Sequence, residues 1–76
     1  MTLMQMAASY RHSADLIRGR ITALRDAART AGPEERSRLE QRIRELSILY
    51  RETRETALVL ERYYDRRYHA NGRRRV

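Results

Sequence analysis

Two runs of apolar residues, each advancing by alternating steps of four and three, take up most of this 76-residue chain. The first is Leu3, Ala7, Tyr10, Ala14, Ile17, Ile21, Leu24, Ala28 and Ala31. The second is Leu39, Ile43, Leu46, Tyr50, Thr53, Ala57, Leu60 and Tyr64, with Thr53 its one polar member. A mean step of 3.5 residues is the period of a helix that buries one seam against another helix, and it excludes the two-residue period of a strand. One break separates the runs, Gly32-Pro33. Two such helices joined by so short a link must fold back on each other. The fold class expected is therefore all-α: an antiparallel, coiled-coil-like two-helix hairpin.

Local signals fix the ends. Thr2 with Gln5 forms a capping box, so the first helix is expected over about residues 2–31. Gly32 suits the left-handed position that often follows a helix, and Pro33 suits the first turn of the next. Glu34 and Glu35 follow where the helix dipole favours carboxylates. Ser37 with Glu40 offers a second capping box and an alternative start. The second helix is expected over about 34–70, stopped by Asn71-Gly72, with the turn at 32–33 and a basic tail at 71–76.

Facing residues are expected to have numbers summing to about 67, a level set by centring the turn between Pro33 and Glu34. Large residues then meet small ones along the seam: Ala28 with Leu39, Tyr10 with Ala57, Ala7 with Leu60. Apolar residues remain outside it. Met4, Met6 and Leu16 lie off it on the first helix, and Ile48, Leu49, Leu58, Val59 and Tyr63 on the second exceed the usual scatter of surface hydrophobics. They point to a second copy, hence a homo-oligomer and a four-helix bundle. Oligomerisation also supplies stability that a chain this short, with no cysteine for a disulfide, does not obtain alone.

The residues carry little catalytic chemistry. His12 and His69 map to outward positions, each beside an aspartate, and the inward Glu-x-x-His spacing of metal-binding bundles is missing. No glycine-rich phosphate loop occurs. The reading is non-enzymatic, with no cofactor, no metal, no small-molecule substrate and no membrane span, in the cytoplasm. Surface charges are expected to pair along the helices at i, i+4, as Glu34 with Arg38, Arg36 with Glu40, Glu40 with Arg44, and Arg51 with Glu55.

The last sixteen residues, "ERYYDRRYHANGRRRV", are set apart by charge. They hold 6 of the 17 arginines and 2 of the 10 acids, so +4 of the net +7 lies there. Arginine forks clamp phosphates and tyrosine rings stack on bases. Arg62, Arg66, Arg67, Tyr68, Arg73, Arg74 and Arg75 are thus candidate contacts for nucleic acid or for an acidic protein. The structural alternative is a solvated helix end, since cations are favoured at a helix C-terminus. The functional expectation is a helical module that self-associates and engages another macromolecule, with nucleic-acid binding through this end as the alternative.

The closing "LERYYDRRYHANGRRRV" resembles the ends of small helical proteins encoded by bacterial phage and conjugative elements. The expected architecture is similar to the Rop-type hairpin, which dimerises into a four-helix bundle and binds paired RNA loops. The resemblance implies a dimeric bundle and raises the RNA reading, and it carries over no residue roles.

Overall fold

The computed structural model describes the backbone of residues 2–73 and the side chains of residues 2–65. Two helices, α1 (Leu3–Thr30) and α2 (Pro33–Arg73), pack against each other as an antiparallel hairpin measuring 64 × 17 × 15 Å.

The start of α1 is made by Thr2. Its hydroxyl accepts a hydrogen bond from the Gln5 amide at 3.1 Å, and the Gln5 side chain accepts from the Thr2 amide at 2.9 Å. That reciprocal pair satisfies two donors that no helical carbonyl can reach. At the other end, Ala31 leaves the helix in an extended conformation, φ −78° and ψ 149°. Among the described residues no glycine has a positive φ, so the left-handed Gly32 expected from sequence is not found. The cause is the next residue. The Pro33 ring disfavours the α region for the residue before it and starts α2 at once, so Gly32 acts as the cap of α2, and its carbonyl accepts from the Arg36 amide at 2.8 Å. The turn is therefore Ala31-Gly32, one residue earlier than the spacing suggested. The Ser37–Glu40 capping signal falls inside α2.

Helix α2 also continues through Asn71-Gly72 to Arg73, three residues past the expected stop. A helical glycine costs about 1 kcal/mol relative to alanine, which weakens a helix without ending it. At 1.5 Å per residue α1 is about 42 Å long and α2 about 61 Å. By the facing order, residues beyond Tyr64 extend past the start of α1.

The seam is the one the spacing predicts. Ala7, Ala14, Ile21, Leu46 and Ala57 are buried, with 1–7% of their surface exposed. Leu3, Ile17, Leu24, Leu39, Ile43, Tyr50 and Leu60 are half-buried beside them. Tyr10 and Tyr64 are the outer members, at 39% and 37% exposed. Thr53 fits a half-buried position because its hydroxyl donates to the Leu49 carbonyl at 2.7 Å, and Ser47 and Thr56 bond back one turn in the same way, to Ile43 and Glu52. Among the described residues three of the five buried are alanines, so the helices approach closely and bury little.

Candidate interaction surfaces

The described part of the hairpin offers its two long faces and the start of the α2 overhang. Stepping 100° per residue from the seam, one face of α1 carries Ser9, Ser13, Leu16, Arg20, Ala23 and Ala27, again spaced four and three. The matching stripe of α2 carries Arg42, Glu45, Leu49, Glu52, Thr56, Val59 and Tyr63. In an antiparallel pair these stripes lie on the same side of the molecule. A shallow groove confirms it, with Leu16, Arg20 and Ala23 on one bank and Arg42 and Leu49 on the other.

This side holds most of the apolar residues singled out by sequence. Leu16 is 60% exposed, Leu49 47%, Val59 62% and Tyr63 57%. Ile48, 55% exposed, lies at its outer edge. Leu58 does not belong to it. That residue is half-buried on the opposite flank, where it lines a shallow depression with Ser47, Tyr50 and Arg54. The six apolar residues thus divide between two faces, because an off-seam residue can fall on either flank of a helix.

The opposite face is charged. There Arg11 crosses the seam to Glu61 through a two-pronged contact, with Nε on Oε1 and Nη2 on Oε2, the latter at 2.8 Å. Glu61 is about 7.5 Å along the axis from the level facing Arg11, at 1.5 Å per residue. Helical side chains lean toward their own N-terminus, and in antiparallel helices these two therefore lean toward each other. The hydrogen bonds from Arg11, followed by its charge, hold the Glu61 carboxyl below its ordinary range, and the same contact raises the Arg11 guanidinium. The pair is hard to read from the sequence because it joins residues 50 positions apart, on different helices.

None of the expected i, i+4 pairs closes among the described residues. Asp26–Arg29 and Arg42–Glu45 form at i, i+3, at 3.8 and 3.4 Å. Arg36 turns to the end of α1, donating to the carbonyls of Ala28 at 3.2 Å and Ala31 at 3.3 Å. A guanidinium there satisfies carbonyls that lack a helical partner and meets the negative end of the helix dipole. Exposed i, i+4 pairs contribute only about 0.3–0.5 kcal/mol, so orphan carbonyls compete readily for the same arginine.

At the long end of α2, Arg62 is exposed next to Tyr63. The side chains of Arg66, Arg67, Tyr68 and Arg73, and the whole of Arg74 and Arg75, lie outside the described residues. His12 is exposed, and among the described residues no group of histidines and acids is placed to hold a metal ion. No described helix is long and apolar enough to cross a membrane.

No family model matches the chain, and neither a curated protein nor a solved structure matches it. The likeness of the closing residues to proteins of mobile elements gains no support from these comparisons.

Proposed function

We propose that this hairpin is a non-enzymatic assembly module that self-associates and, as an assembly, engages another macromolecule. One observation carries the reading: the exposed apolar side chains outnumber what the seam buries. Among the described residues five apolar side chains are buried, three of them alanine, while six (Met4, Leu16, Ile48, Leu49, Val59 and Tyr63) each expose between 47% and 62% of their surface. A hairpin with so thin a core gains more by covering those side chains than by leaving them in water, at roughly 25 cal/mol for each Å² removed. The test is capture of partners by the full chain and by a chain ending at residue 65. Partners retained by the shortened chain support assembly through the helical faces. Loss of every partner on shortening transfers the function to the basic end.

The second reading rests on the overhang. Residues 65–73 of α2 run about 13 Å beyond the level of Leu3 by the helical rise, and exposed Arg62 and Tyr63 stand at their base. Under this reading Arg62, Arg66, Arg67, Arg73, Arg74 and Arg75 contact phosphates and Tyr63 or Tyr68 stacks on a base. Fluorescence anisotropy against duplex DNA, single-stranded DNA and hairpin RNA across salt concentrations tests it. Four phosphates neutralised on duplex DNA give a log–log slope of roughly −3 to −4. Absence of binding at about 50 mM salt, where screening is weak, removes the reading.

A further inference from the structure

The groove face has a pattern that selects what covers it. Of the seven charged residues in α1, six fall on the far side by the 100° step, leaving Arg20 alone on this face. Around Arg20 the α1 stripe is small: Ser9, Ser13, Ala23 and Ala27, with Leu16 the exception. The α2 stripe is large, with Leu49, Val59 and Tyr63 exposed. A face with one small bank and one large bank is complementary to itself when each bank meets the other.

Charge gives the same answer. Arg42 and Glu45 pair within α2 at 3.4 Å, whereas Arg20 and Glu52 make no ion pair with any described residue. Within one chain they do not pair, and by the 100° step Glu52 lies further round the helix from the seam than Glu61 does. They stand, however, at the same offset along the hairpin as Arg11 and Glu61, the pair that does bridge two antiparallel helices. An antiparallel helix laid on the groove face would bring such a pair together.

Area supplies the third argument. A compact monomer of this mass exposes about 4,900 Å² by the usual scaling of surface with size. The chain exposes 6564 Å². The surplus is larger than the roughly 800 Å² that each partner buries in a standard interface.

Resting on the self-association reading, we infer that the groove face is covered by a second copy of this chain, related by a two-fold axis parallel to the helices. Each α1 then lies antiparallel on the partner's α2. Ser9 meets the partner's Val59, Ser13 the partner's Thr56, and Leu16 the partner's Leu49. Arg20 pairs with the partner's Glu52, twice per dimer. The other two-fold, which sets α1 on α1 and α2 on α2, stacks small on small and large on large, and separates Arg20 from Glu52.

The test uses two full-length variants, Arg20→Glu and Glu52→Arg. Each alone places like charges in contact at both sites of its dimer. Mixed one to one, they restore opposite charges at both sites, in a heterodimer. Sedimentation at about 50 mM salt, where exposed pairs are weakly screened, should show each variant dimerising about tenfold more weakly than the unaltered chain, or about 1.4 kcal/mol over the two sites of the dimer. The mixture should recover the original affinity. Helicity by circular dichroism establishes that both variants fold. If both weaken and mixing does not rescue them, the charges do not meet across copies and the inference falls. If neither weakens while the unaltered chain dimerises, self-association stands on another face. If the unaltered chain stays monomeric at high micromolar concentration, the self-association reading fails, and this inference with it.

Discussion

Replacing Ala57 with leucine sets two effects against each other at the most buried position of the seam. Ala57 exposes 1% of its surface, and Ala7 and Ala14 expose 2% and 4% nearby on α1. If there were room, three added carbons would gain about 0.8 kcal/mol each from leaving water, near 2.4 kcal/mol in favour of folding. With no room, the added atoms force the helices apart or strain rotamers, at about 1–3 kcal/mol against folding. A side chain already sealed from water by its neighbours leaves no such room, so overpacking wins. Each kcal/mol moves the midpoint of a domain this size by roughly 4–8 °C, and Ala57→Leu should therefore unfold about 5–20 °C lower at matched protein concentration. The control is Ala28→Leu, on the same spacing but half-buried near the turn, where the change should stay within about 1 kcal/mol. Thermal unfolding followed by circular dichroism reads both. An Ala57→Leu chain as stable as the original, or more so, would refute the close approach of the helices at this level and with it the facing order.

Gly19 lies in mid-helix with nothing within 4 Å of where a Cβ would stand, so Gly19→Ala should stabilise the hairpin by about 0.5–1 kcal/mol in urea unfolding. Gly32 has the same free space and no positive φ; Gly32→Ala should cost less than about 1 kcal/mol, and a larger loss in urea unfolding would mean that the turn needs a left-handed residue after all. The Glu61 carboxyl titrates below its ordinary value of 4.5 because of Arg11, so its contribution is complete above that pH and is lost as the pH falls through the lowered value. Glu61→Gln should lower stability at neutral pH and flatten the acid limb of a stability–pH profile; an unchanged limb would show that the contact does not persist in solution. Val59→Lys, on the groove face, should dissociate the assembly in sedimentation, whereas Leu58→Lys, on the opposite flank, should leave its mass unchanged.

The seam was legible in the sequence because burial repeats. Every expected seam residue is buried or at the seam's edge, and Thr2 with Gln5 caps α1 as their spacing requires. The turn was legible as a break but not in its geometry, since Gly32 answers to two rules and the proline after it outranks the helix before it. Ion pairs were the least legible. Within one helix an arginine has several partners of nearly equal energy, and the contacts that formed, Arg11 with Glu61 and Arg36 with the carbonyls of Ala28 and Ala31, depend on how α1 and α2 lie together. The apolar residues outside the seam were visible individually, while their division between two faces, with Leu58 apart from Leu49 and Val59, required the hairpin.

On the proposed reading this hairpin completes its core with another copy of itself. Light scattering on the full chain eluting from a size-exclusion column, from low to high micromolar concentration, tests it most directly. Self-association gives a species of twice the 9.1 kDa chain mass, passing to monomer only on dilution. A single 9.1 kDa species at every concentration would contradict it.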